Sequence, residues 1–208
     1  ALEVDNLTPL QIEERQFDLA VCAMELFNED AAFQLEKYLQ EYPTGLFVND
    51  VEFNLGNLFF RDKNYTAAIA KYAQLNPDLL KDDERDMFYF RQGYSYFAEE
   101  NFEEAKLSFQ ELKGVQFKFK DLTKYYVSHI AYLEGNYATA LNGFETLKEV
   151  SGIGSIVRYY IAQIYYLQGR NQELLAFALP LLDSANTKRT PEIARLIGDA
   201  YYRTNQFG

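Results

Sequence analysis

Apolar residues recur along most of the chain at intervals of three and four, the spacing that gathers them on one face of a helix. Thr8-Pro9-Leu10-Gln11 reads as a capping box with proline at the first helical position. It opens a long amphipathic helix predicted to run to about Asn28, with Ala31 to Tyr42 as its partner. Later helical stretches each carry a small residue inside the apolar pattern, at Gly56, Gly93, Ser128, Ala162 and Gly198, with intervals of 37, 35, 34 and 36. Twelve residues beyond the first three stand Ala68, Ala105 and Ala140, followed by Tyr72, Phe109 and Phe144 and then by Leu75, Leu112 and Leu147. Between the two halves of each unit lie Lys63-Asn64-Tyr65, Glu100-Asn101-Phe102 and Gly135-Asn136-Tyr137, where Asn or Gly is expected to take the turn and an aromatic opens the next helix. Each unit is thus predicted to be a helix-turn-helix hairpin. The small residue of its first helix should meet the Ala of its second and let two backbones approach closely.

A period near 34 residues with this register resembles the tetratricopeptide repeat. The resemblance implies an all-α, right-handed superhelical solenoid of antiparallel helix hairpins, about 11 helices in one array over 1–208. The hairpins would fall at approximately 9–43, 46–77, 83–113, 118–149 and 153–184, with an unpaired first helix of a sixth unit at 190–208. The strong units run from about Asp50 to Val150. Ala162, Tyr165 and Gly169 keep the first half of the next one, but Leu174 and Ala178 stand where the pattern expects a small residue and an aromatic. Thr190-Pro191 starts a helix whose Gly198, Tyr201 and Phe207 match the first half of another unit, so the chain is expected to be an N-terminal piece of a longer repeat protein. Its start at Ala1 without Met suits a mature product after signal removal. The segment Tyr38 to Gly45, followed by Phe53-Asn54-Leu55-Gly56, is similar to the repeats of bacterial envelope proteins of the outer-membrane assembly lipoprotein type. That similarity implies a periplasmic or outer-membrane-associated scaffold, the cytoplasm being the alternative; the sequence contains no lipobox.

In the family resembled, first helices of successive hairpins line a concave face on which extended peptides lie. Carrying the lining positions over from each small residue gives Phe53, Asn57 and Phe60; Phe90, Tyr94 and Phe97; and Tyr125, His129 and Tyr132. Tyr159, Gln163 and Tyr166 follow, and then Arg195, Asp199 and Tyr202. Two aromatic stripes thereby flank a central row of Asn57, Tyr94, His129, Gln163 and Asp199. Aromatics at helical spacing also serve as core, yet packing alone does not require a polar row between them. Phe53, Phe90, Tyr125 and Tyr159 stand where carboxylate-clamping members of the family place Lys, which disfavours recognition of chaperone tails. The expected partner is a protein or peptide segment. A carbohydrate, stacked on the rings with Asn57, Gln163 and Asp199 bonding its hydroxyls, is the alternative.

Composition narrows the rest. At 48% hydrophobic and 25% charged residues the chain is apolar enough to fold. Its net charge, 20 − 31 = −11, repels nucleic acid and anionic lipid. No segment approaches the roughly 20 apolar residues of a membrane span, so no direct membrane insertion by this chain is expected. His129 is the only histidine and Cys22 the only cysteine, which disfavours His-based catalysis and thiolate or multi-histidine metal sites. Cys22, among Ala20, Val21, Ala23 and Met24, reads as a small buried apolar residue. The acidic run Asp82-Asp83-Glu84-Arg85-Asp86 is placed just before a helix, where acids favour the dipole. There is no glycine-rich phosphate loop, nucleophile elbow, zinc-protease or calcium-loop pattern. The expectation is therefore a non-enzymatic binding protein with no cofactor and no metal. Asn6-Leu7-Thr8 and Asn64-Tyr65-Thr66 match the glycosylation sequon, a pattern too short to weigh. Tyr201, Tyr202 and Phe207 at the uncapped end are candidates for homotypic stacking.

Overall fold

The computed structural model describes residues 7–182 and 189–204, in which there are eleven α-helices and no strand. Phe207, and Asn6 of the first sequon, lie outside the described residues. The chain divides into two compact units, Ala1–Phe117 and Lys118–Gly208.

The first unit contains α1 (Pro9–Glu25), α2 (Ala31–Glu41), α3 (Val48–Arg61), α4 (Tyr65–Tyr72), α5 (Asp82–Ala98) and α6 (Phe102–Gln110), with a 3₁₀ turn at Pro77–Leu79. Each odd helix pairs with the next even one, and α3 also touches α1 and α5. The capping box at Thr8 forms as expected, with the Gln11 amide donating to Thr8 Oγ1 and the Thr8 amide donating to Gln11 Oε1. The core is a run of small clusters: Ala20, Leu35, Tyr38, Val51 and Leu55 between α1, α2 and α3, then Phe53, Ala68, Tyr72, Leu75, Leu80 and Phe88 further along. This is how a repeat protein buries apolar area without one central core.

The second unit contains α7 (Lys120–Leu133), α8 (Tyr137–Glu145), α9 (Gly154–Leu167), α10 (Asn171–Leu182) and α11 (Thr190–Arg203). Here α7 pairs with α8, and α9, α10 and α11 pack on one another. Leu174 and Ala178, which break the repeat pattern, are both fully buried, packed with Ala162 and with Ile193, Leu196, Ile197 and Ala200 of α11.

Five local expectations need correction. The small residue of the first helix faces the aromatic of the second rather than its Ala. A Cβ on Gly56 would run into the ring of Tyr72, and one on Gly93 would sit 2.7 Å from Phe109 Cδ1 and Cε1. In the α7/α8 hairpin the close approach is made instead by Ser128 against Gly143. The residue at the turn is not the Asn either. Lys63 and Glu100 adopt φ 60, one place before the Asn expected there, whereas Gly135 at φ 75 takes its turn as expected and Gly169 at φ 69 does the same in the next hairpin. The following Asn64 and Asn136 keep negative φ and accept a hydrogen bond from the amide of Ala67 and Thr139, capping the next helix. The first helix ends at Glu25, short of Asn28, because Phe27 at φ 56 makes the same turn. All five hairpin turns close with one pair of backbone bonds, such as Asn64 to Phe59 and Lys63 to Phe60, or Asn28 to Ala23 and Phe27 to Met24. Finally, Cys22 is exposed, since α1 is covered on one side only and its uncovered side also carries Leu19 and Leu26. The acidic run begins α5 rather than preceding it, filling its first turn.

Candidate binding faces of the two units

Each residue of a helix advances by about 100° around its axis, so the positions relative to the small residue decide which side chains look outward. On α3, Phe53 sits close to the hairpin interface and is 8% exposed; Phe90, its counterpart on α5, is 7% exposed. Phe90 packs 6.4 Å from Phe109 and 6.2 Å from Phe117. These two expected groove residues belong to the core of the first unit, Phe53 also reaching the floor of its cleft.

That cleft encloses about 510 Å³ and is walled by Met24 and Phe27 at the end of the first helix, by Asn54, Asn57, Phe60 and Arg61 of α3, and by Arg91 of α5, with Glu25 at its rim. Asn57 is held from beneath, its Oδ1 accepting from the buried Tyr72 hydroxyl at 2.9 Å. Burial pushes the Tyr72 hydroxyl pKa up, and the Arg91 guanidinium beside its oxygen offsets part of that rise. Arg91 also lies over the Phe60 ring at 5.8 Å and Arg61 over the Phe27 ring at 5.1 Å. Beyond the cleft Phe60 meets Tyr94 edge to face at 5.5 Å, and Tyr94 meets Phe97 at 6.4 Å, so three of the expected residues form a continuous line of rings.

In the second unit, Tyr125, His129 and Tyr132 of α7 converge on Tyr160 of α9. Tyr160 lies 4.7 Å from His129 and 5.1 Å from Tyr132, and is stacked on Phe144 at 5.5 Å. Burial pushes the hydroxyls of Tyr125, Tyr132 and Tyr160 up and the His129 imidazole down. On the outer part, Tyr166 donates to Asp199 Oδ2 at 3.3 Å and accepts from Arg203 at 2.8 Å, with the Arg203 guanidinium 4.3 Å from its ring centre. Arg189 lies over Tyr159 at 5.3 Å. Gln163 is half-buried, while Arg195 is exposed and Tyr202 is 72% exposed.

Sequence reasoning missed Arg61, Arg91, Phe27 and Tyr160. Arg91 and Tyr160 share one register, two places before the small residue, and Asn54 occupies it on α3. A stripe drawn one residue earlier selected Phe53, Phe90 and Tyr159. Among the described residues no group of His, Cys, Asp and Glu is arranged to hold a metal ion, and no helix is long and apolar enough to cross a membrane.

The class of fold is a stack of helical hairpins within each unit, and comparison with known proteins agrees. The family model for the tetratricopeptide repeat matches residues 88–114, which span the greater part of α5 and all of α6. A crystal structure of nearly identical TPR-like repeats from a candidate kinesin light chain of Podosopora anserina is similar to the chain at TM-score 0.57. Its sequence identity is 11%, and the match covers 97% of this chain and 100% of that one. A tetratricopeptide repeat protein from Parabacteroides merdae gives TM-score 0.47 at 14% identity over 94% of this chain and 88% of that one. No curated protein sequence matches the chain. The fold is that of tetratricopeptide-like repeats.

Proposed function

We propose that this chain is a non-catalytic interaction scaffold that binds an extended segment of a protein partner on the first helices of its hairpins. The observation that carries this reading is the cleft of the first unit. Its Asn57 is held in place by a buried hydroxyl, Phe27, Phe53 and Phe60 are among its lining residues, and a line of rings leads away from it. An apolar concavity with a few oriented polar groups suits an extended peptide, which offers side chains to the walls and backbone groups to Asn54 and Asn57. The similarity of Tyr38 to Gly45 and Phe53 to Gly56 to envelope repeats supports a bacterial periplasmic or outer-membrane setting, and with it an envelope protein as partner.

The test is selection of linear peptides from a random display library on the immobilised protein, repeated with Phe60→Ala plus Tyr94→Ala. Both rings are half-buried, so circular dichroism of the double variant accompanies the selection. Enrichment of a linear motif that the folded double variant no longer retains supports the reading. No enrichment, or enrichment indifferent to the two rings, removes it; binding to a glycan array in that case would transfer the face to carbohydrate.

A further inference from the structure

We propose that the cleft of the first unit recognises carboxylates of an acidic partner segment, and that the Tyr72 hydroxyl positions the groups that do so. The inference rests on the reading of this face as a peptide groove and names the chemistry of its ligand. Its starting point is a comparison along the repeat. Where α4 has Tyr72, the equivalent places in the next two hairpins are Phe109 and Phe144, all three rings being 2% exposed or less. The ring alone therefore suffices for packing. A hydroxyl buried at that place needs a partner, and it donates to Asn57 Oδ1 at 2.9 Å.

That bond has a direction. With its carbonyl oxygen engaged from below, Asn57 leaves its NH₂ group, a pure donor, for the cleft. The hydroxyl oxygen faces the Arg91 guanidinium, which is steadied from the other side by the Phe60 ring at 5.8 Å. Across the cleft Arg61 rests on Phe27 at 5.1 Å. A guanidinium lying on a ring keeps its N–H edge available, and that edge matches a carboxylate in two parallel bonds. Asp62 engages Arg61 at 3.3 Å and Glu25 stands at the rim, so Arg91 with Asn57 is the better-placed pair. In a chain of net charge −11 the cleft thus gathers donors and positive charge where the ligand would lie. Its occupant is polypeptide rather than a free anion, because Met24, Phe27 and Phe60 offer apolar wall that only neighbouring side chains would cover.

The experiment compares two end-blocked peptides by fluorescence anisotropy, one alternating leucine with glutamate and the other leucine with glutamine. The wild-type protein should bind the glutamate peptide at least about tenfold more tightly at low salt, with the difference shrinking as salt rises. Arg91→Gln should remove the difference. Tyr72→Phe, which keeps the ring, should narrow it severalfold while the melting temperature stays near wild type; Asn57→Ala should narrow it as far but also lower the melting temperature, because the buried Tyr72 hydroxyl loses its acceptor. Equal binding of the two peptides by wild type would overturn the carboxylate inference and leave the groove standing, whereas binding of neither would remove both. Free glutarate displacing the peptide at comparable concentration would make this a small-anion site and overturn the polypeptide occupant. An undiminished preference in both Tyr72→Phe and Asn57→Ala would overturn the role of the hydroxyl.

Discussion

The same register of the repeat produces an open cleft in the first unit and a filled cluster of rings in the second. On α3 and α5 the place two before the small residue holds Asn54 and Arg91, and the space above them stays open. On α9 it holds Tyr160, whose ring occupies that space and ties α7, α8 and α9 together. Long polar side chains rest on rings and leave a wall, while a ring at the same place becomes core. On α3, α5 and α9 this one position therefore decides whether the space above the helix stays open or is filled.

The sharpest way to break the comparison is to fill the first unit from inside. Gly56→Val would drive a side chain into the buried Tyr72 ring and should cost about 3 kcal/mol. The same change at Gly198, where a Cβ meets nothing within 4 Å, should leave the melting temperature nearly unchanged. Equal losses at the two sites would show that the close approach at Gly56 is not what limits that hairpin. Next in size is Tyr160→Ala, which empties the ring cluster of the second unit. For a half-buried aromatic a loss of about 2–3 kcal/mol is expected by urea unfolding, well above that of Arg91→Ala in the same register.

A smaller effect, of opposite sign, is expected at the turns. Lys63 and Glu100 hold a left-handed backbone that glycine adopts without strain, as Gly135 and Gly169 do in the other unit. Lys63→Gly and Glu100→Gly should each stabilise the first unit by up to about 1 kcal/mol, read as a melting shift of a few degrees. No gain would mean that those side chains make compensating contacts. Smallest is a pH effect confined to the second unit. Burial lowers the His129 pKa, so the folded imidazole stays neutral while the unfolded chain takes up its proton near the ordinary value of about 6.5. Its contribution is complete above that value and is lost as pH falls through it, levelling off once the folded imidazole also protonates. Thermal stability should therefore decline on acidification from about pH 7 to 5. His129→Gln should flatten that slope, and an unchanged slope would assign it to other groups.

The hairpins themselves were legible because helical periodicity, the Thr8 capping box and the spaced small residues are local signals. What lay opposite Gly56 was not, since whether Ala68 or Tyr72 covers it depends on how the second helix is rotated, and a one-residue change moves a side chain by about 100°. The same ambiguity put the expected aromatic stripe on Phe90, which is core, and on Phe53, which is buried but reaches the cleft, and passed over Arg91 and Tyr160, which shape the two faces. Tyr94, Phe97, His129 and Tyr166 lie on the first helices, the first three in contact with other rings and Tyr166 under the Arg203 guanidinium. Exposure of Cys22 was hidden for another reason. Its neighbours are apolar, and sequence does not tell which side of the first helix goes uncovered.

The five turns that share one backbone geometry also bear on how such a chain can change. Phe27, Lys63, Glu100 and the glycines at Gly135 and Gly169 range from an aromatic to a cation, an anion and no side chain at all, yet each reverses the chain with the same two amide-to-carbonyl bonds. The reversal is written in the main chain, so side chains at these corners are free to be recruited for other work, as Phe27 has been beneath Arg61. A corner that keeps its shape with such different occupants, at a cost of no more than about 1 kcal/mol, is a place where new binding specificity can be tried without rebuilding the hairpin behind it.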